Sequence, residues 1–204
     1  MRVAIIGTGK VGSAQARGFS IAGHEVVMGS RNPSAFAGSK SFKVVTQREA
    51  VDWGELVVLA VPHDVMMEVI DGIGADRFND KIVIDVSNIL GPGMEWAMGF
   101  TSSGAEEIAK ALKGAKVVKA FNTVFSPFQD KGRIGNERLT LFVAADDAKA
   151  KAAVMEYGRA LGFDPVDAGP LSSARLLEPM GIQIIKLAFS HGLGANIGYK
   201  LVKG

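Results

Sequence analysis

Short runs of apolar, largely β-branched residues recur along the chain, separated by longer stretches in which apolar residues return every three or four positions. Val3 to Ile6, Glu25 to Met28, Leu56 to Val61, Lys81 to Val86, Lys116 to Lys119, Leu139 to Ala144 and Pro165 to Asp167 read as strands. Most of these runs are continuously hydrophobic and do not alternate, as expected of strands covered on both faces. The helical period marks Val11 to Ala22, His63 to Ile73, Ser102 to Leu112 and Ala148 to Leu161, with a weaker helix over Thr46 to Trp53. Strand, helix and strand in succession predict an α/β fold with a doubly wound, mainly parallel sheet. From Leu171 onward the pattern is that of a helical tail.

Composition narrows the picture. With 204 residues, 48% hydrophobic, 22% charged and a mean hydropathy of +0.20, the chain can build one core and does not read as disordered. The expected organisation is one domain over residues 1–170 and an appendage over 171–204. Apolar runs stay far short of the roughly 18 to 20 residues of a membrane helix, so no membrane span is expected. Cysteine is absent, which excludes disulfides and thiolate metal sites, and no metal site is expected. A net charge of +2 without a basic block gives no nucleic-acid footprint. A strand starts at Val3 with no cationic leader before it, so a cytoplasmic location is the expectation.

The first strand runs into Gly7-Thr8-Gly9-Lys10-Val11-Gly12, a G-x-G-x-x-G loop that opens a helix. In this context it predicts a Rossmann-type dinucleotide site: Gly7 for the turn, Gly9 for close approach of a pyrophosphate, Gly12 for helix-on-strand packing. The other reading is a glycine-rich turn with no ligand. Preference for NAD normally shows as an acid closing the second strand, some 20 residues on. Here that strand ends in Met28-Gly29 and is followed by Ser30-Arg31-Asn32-Pro33. A hydroxyl and a guanidinium fork suit a 2′-phosphate, so NADP(H) is expected over NAD.

Four segments together carry a resemblance: Gly7 to Gly12; Gly29 to Pro33; Lys119-Ala120-Phe121-Asn122-Thr123; and Asp167 to Leu171 with Arg175 and Glu178. They resemble the NADP-dependent reductases of the deazaflavin coenzyme F-420, almost end to end. The middle signatures, with Asp85-Val86-Ser87-Asn88, are also similar to the cytosolic NADPH-flavin reductase domain of six-transmembrane metalloreductases. The resemblance implies a second ring cofactor, F-420 or FMN/FAD. It implies that Thr8, Ser30 and Arg31 hold the 2′-phosphate, with Lys10, Val11 and Asn32 in the same loops. Ala60, Val61, Pro62, His63, Ser87 and Asn88 would run along the nicotinamide half. Phe121, Asn122, Thr123 and Val124 would border the second ring, and Gly192, Leu193 and Gly194 in the tail would help enclose it. Ala35 stands where members often carry another base, and the Lys119 to Asn122 segment is nearer to the flavin-using branch.

The chemistry available fits ring-to-ring transfer. Oxidising an alcohol requires a positioned base, yet of the three histidines only His63 follows the carboxyl end of a strand. Hydride exchange between two rings requires placement above all, so no catalytic side chain is assigned. Asn122 and Thr123 could equally cap strand ends, and Asp85 could be a buried capping acid. Leu177, Met180, Ile184, Leu187 and His191 form one tail stripe and Ile182, Ile185 and Phe189 a second, which points to a homodimer contact, a cofactor lid, or a helix buried in its own fold. Pro179 falls in that helix's first turn or at a kink. The expected activity is an oxidoreductase exchanging hydride between NADPH and F-420 or a flavin. Reduction of a small carbonyl or imine, and a non-catalytic NADPH-binding module, are the alternatives; the short tail argues against the former.

Overall fold

The structure is a computed structural model that describes residues 1–38, 41–202 and 204. The strands are β1 (Arg2–Ile6), β2 (Glu25–Ser30), β3 (Lys43–Thr46), β4 (Leu56–Leu59), β5 (Ile82–Asp85), β6 (Lys116–Lys119), the two-residue arms β7 (Arg133–Ile134) and β8 (Glu137–Arg138), β9 (Thr140–Ala145) and β10 (Asp164–Asp167). The helices are α1 (Lys10–Ile21), α2 (Gln47–Trp53), α3 (Met66–Ile73), α4 (Gly104–Ala111), α5 (Ala148–Ala160) and α6 (Ala174–Phe189).

Among the described residues, eight strands form one sheet in the order β10-β9-β6-β5-β4-β1-β2-β3. The six from β1 to β6 are parallel. β9 meets β6 antiparallel, and β10 follows β9 in parallel, so the last two strands run against the others. The Rossmann-type, mainly parallel doubly wound sheet and its short helical C-terminal appendage are both present. β1 shows why the strands read as unbroken apolar runs: Val3 and Ile5 enter one core layer with Phe19 of α1 and Val154 of α5, while Ala4 and Ile6 enter the other with Ala50 of α2 and Ile70 of α3. Burial on both faces removes the period of two.

Several boundaries differ from the sequence expectation. β4 stops at Leu59; the Ala60 N–H still donates to the Ile6 carbonyl (2.8 Å), and Pro62, two residues on, has no N–H to contribute. His63–Val65 forms a 3-10 turn, and α3 proper begins at Met66. β3 was not anticipated: it is a four-residue, half-buried edge strand held by pairing with β2, Val27↔Lys43 through Ser30↔Thr46. The β7–β8 hairpin lies between the runs Lys116 to Lys119 and Leu139 to Ala144, where the sequence pattern predicts no element. In α6, Pro179 lies past the first turn and removes the donor that the Arg175 carbonyl would receive. Burial of Leu177, Ile182, Ile184 and Ala188 keeps the helix continuous. After α6 the chain returns beside β9, where the Thr140 N–H donates to the Tyr199 carbonyl (2.9 Å) and the Leu201 N–H to Thr140 Oγ1 (2.8 Å).

Candidate functional site

The connection from β1 leads to β2 on one side and the connection from β3 returns to β4 on the other, so the winding reverses between β1 and β4. In open α/β sheets such a reversal leaves a crevice at the strand carboxyl ends. Here it is a cleft of about 780 Å³, lined by Gly9, Lys10 and Val11 after β1, by 60–64 after β4, and by 86–90 after β5. That volume suits a small-molecule or cofactor site.

The three loop glycines meet different demands. Gly7 has φ of 120°, and a Cβ there would stand 2.3 Å from the Ala60 carbonyl oxygen. A Cβ at Gly12 would stand 2.1 Å from the Gly7 carbonyl oxygen, so α1 could not pack on the loop. Gly9 has an ordinary φ of −75° and no atom within 4 Å of its Cβ position. Packing of the chain does not require glycine there; a ligand pressed against the backbone would. The start of α1 is also open, with no side chain capping it and no acid in its first turn. α2 has a Thr46–Glu49 capping box, α5 is capped by Asp147 and α4 by Ser103, whereas α3 and α6, like α1, have no side-chain cap; among these three, α1 is the one whose first residues line the cleft. An uncapped helix start facing a cleft leaves N–H groups free for an anion.

At the carboxyl end of β2, Ser30 and Arg31 line a neighbouring pocket of about 350 Å³ together with Thr46, Gln47 and Arg48. Arg31 is exposed and makes no ion pair among the described residues. Arg48, which sequence reading missed, enters this pocket because β3 places Thr46 beside Ser30. Its guanidinium donates to the Gly72 carbonyl (3.1 Å) and not to a carboxylate. Asn32 turns back through its N–H to Ser30 Oγ (3.1 Å).

On the other side of the cleft, Phe121 follows β6 with φ of 64°, a left-handed conformation uncommon for a bulky side chain. Its ring is fully buried against Tyr157 and Phe163, so Phe121 acts through the turn it makes and its side chain does not face the cleft. The turn brings Asn122 onto Asn88: Asn122 Nδ2 donates to Asn88 Oδ1 (2.9 Å) and to the Leu177 carbonyl (2.7 Å), and Asn88 Nδ2 donates to the Asn122 carbonyl (2.9 Å). Thr123 and Val124 are buried, Val124 in the core layer with Phe121 and Phe128. Among the described residues, three buried side-chain atoms have no hydrogen-bond partner: His63 Nδ1, Asn122 Oδ1 and Trp96 Nε1. His63 lines the cleft, and Asn122 is tied to Asn88 on its wall. Orphaned polar atoms at a cleft are the kind that a ligand satisfies.

Beneath the wall lies an arrangement that no spacing rule reveals. The Lys119 ammonium is fully buried and contacts Asp85 Oδ2 (2.7 Å), Glu178 Oε1 (3.0 Å) and the Ser87 carbonyl (2.6 Å). Both carboxylates are fully buried as well. Burial by itself pushes the ammonium pKa down, but Asp85 and Glu178 outweigh it and hold the group above its ordinary value. Asp85 Oδ1 accepts from the Ser87 N–H (2.9 Å) and hydroxyl (2.7 Å), while Glu178 accepts from the N–H groups of Gly104 (3.0 Å) and Ala105 (3.1 Å) at the start of α4. Gly192, Leu193 and Gly194 are not in the cleft wall. They are exposed and cap α6, with the N–H groups of Leu193 and Gly194 on the carbonyls of Leu187 and Ala188. Phe189, just before them, packs edge-on against Phe125 (5.9 Å between centroids).

Comparison with known proteins places this geometry among dinucleotide oxidoreductases. The family described as NADP oxidoreductase, coenzyme F-420-dependent, matches residues 2–89. The metalloreductase STEAP3 of Rattus norvegicus is 34% identical over 187 residues, covering 90% of this chain and 37% of that protein. The chain thus spans little more than a third of the metalloreductase. The F-420-dependent NADP reductase of Methanothermobacter thermautotrophicus is 29% identical over 210 residues, 92% of this chain and 89% of that one. Among solved structures, a candidate F-420-dependent NADP reductase from Arthrobacter sp. FB24 superposes with a TM-score of 0.91 at 30% identity, each chain covered in full.

Proposed function

This chain belongs to the coenzyme F-420-dependent NADP oxidoreductase family, and on that premise we propose that it exchanges a hydride between NADPH and a deazaflavin or flavin ring. The observation that carries the reading is the start of α1: an uncapped helix terminus beside a glycine that chain packing does not require, both opening on the cleft. When bound, NADPH would supply the hydride. The backbone of Gly7 to Gly12 would take the pyrophosphate, and Thr8, Ser30 and Arg31 the 2′-phosphate, with Arg48 adding positive charge nearby. Ala60, Val61 and Pro62 form a mainly apolar wall that would exclude water from the nicotinamide side. Ser87 and Asn88 would set its other edge, and Asn122, Thr123 and Val124 would border the second ring. Residues 1–170 would serve as the dinucleotide domain. Residues 171–204 would flank the acceptor and contact a second subunit, consistent with Leu176 and Phe189 being 63% and 60% exposed on α6.

The flavin alternative draws on the Lys119 to Asn122 segment and on the 34% identity to STEAP3; the F-420 alternative draws on the full-length match to the archaeal reductase. Anaerobic mixing of NADPH with F-420, FMN and FAD in turn, following loss of the nicotinamide absorbance, decides between them. Rapid oxidation by one ring identifies the acceptor. Oxidation by none, with turnover of a small imine or carbonyl instead, would overturn the proposal.

A further inference from the structure

The charge cluster under the cleft is costly to build. A cation and two carboxylates, all fully buried, carry a net charge of −1 inside the fold, and such clusters are commonly no more stable than apolar packing of the same volume. Stability alone is therefore a weak reason for it, and its position suggests another. Lys119 reaches the Ser87 carbonyl, and the partner carboxylate Asp85 holds both the N–H and the hydroxyl of the same residue. Ser87 and Asn88 form the cleft wall. The second carboxylate, Glu178, belongs to α6 and also closes the N-terminus of α4. Three residues later on α6, Gly181 packs so tightly on Asn88 that a Cβ would stand 2.4 Å from its Oδ1.

We propose that Lys119 is a positioning residue for the nicotinamide subsite: it fixes the 87–88 wall from beneath and locks the tail helix to it through Glu178. The inference rests on the function proposed above. It assigns to the buried cation an effect on where the ring sits and none on how tightly the dinucleotide is held, since the phosphates would bind at the far end of the cleft, on β1 and α1.

The test compares wild type with Lys119→Met and with the double variant Lys119→Met, Glu178→Gln. The double variant keeps the cluster at its native net charge of −1 and leaves Asp85 its two bonds from Ser87, so it remains decisive if the single variant does not fold. NADPH is titrated while nicotinamide fluorescence is followed, giving a Kd and a plateau that reports immobilisation of the ring. Single-turnover transfer to the ring acceptor is measured alongside. Misplacement by a fraction of an ångström in a proximity-driven reaction predicts a transfer rate lower by about tenfold or more, a plateau enhancement at least halved, and a Kd within about threefold. Wild-type plateau and rate in a folded variant, with only a lower Tm, would reduce Lys119 to a structural role and overturn the proposal. If wild type enhances nicotinamide fluorescence yet passes hydride to no ring, the acceptor assignment fails while the plateau still decides the role of Lys119.

Discussion

Gly9 and Gly12 stand three residues apart in one loop and predict opposite outcomes for the same substitution. Gly12→Ala places a methyl 2.1 Å from the Gly7 carbonyl oxygen and 2.9 Å from its carbon, both backbone atoms that cannot swing aside. Overpacking of this kind costs about 1–3 kcal/mol. For a domain of this size each kcal/mol shifts Tm by about 2–4 °C, so a fall of about 2–12 °C is expected. Gly9→Ala meets nothing within 4 Å, at φ of −75° where alanine is unstrained. Its stability should lie within about 1 kcal/mol of wild type, a small loss of N-cap preference offsetting a small gain in chain entropy. Its NADPH Kd should nonetheless rise about tenfold or more, or about 1.4 kcal/mol, because the methyl would occupy space required by the pyrophosphate. Thermal melts and fluorescence titration of both variants are the assay. A Gly9→Ala protein that binds NADPH like wild type would show that nothing approaches this backbone, and the loop would then be a turn without a ligand.

Other outcomes follow from single contacts. Arg31→Ala should weaken NADPH by about ten- to a hundredfold, the loss of a charge-assisted bond, and leave NADH nearly unchanged; equal loss for both cofactors would remove the 2′-phosphate assignment. Light scattering behind size exclusion should report a dimer that Leu176→Glu with Phe189→Glu converts to monomer, and a monomeric wild type at high concentration would refute the subunit contact. The hydrogen bonds from Arg175 hold the Glu106 carboxyl below its ordinary 4.5, with burial opposing and Ser103 assisting. A carboxylate depressed in the folded state stabilises fully above its unfolded pKa and loses that contribution as pH falls through the folded value. Glu106→Gln should therefore lower Tm at neutral pH and lose the difference well below 4.5; a difference unchanged by acid would contradict the pairing.

The sequence by itself determined the class of fold, because strands buried on both faces must be continuously apolar and the helices between them must carry one apolar stripe. It also determined the glycine loop between β1 and α1, since the positive φ of Gly7 and the contact of Gly12 with the Gly7 carbonyl arise within a few residues, although the closeness of Gly7 to the Ala60 carbonyl comes from the fold. The missing acid and the presence of Arg31 were likewise readable, being set by one position at the end of one strand. Tertiary structure decided what depends on neighbours distant in the chain. β3 exists because β2 offers it a ladder, and only that pairing brings Arg48 to the pocket of Ser30 and Arg31. The left-handed turn at Phe121, which sends the ring into the core and Asn122 to the wall, follows from packing against Tyr157 and Phe163. Asp85, Lys119 and Glu178 were visible as charges inside apolar segments, but their separation of 34 to 93 residues hid their meeting. A buried charge signals that it needs a partner, and only the fold determines which one it finds.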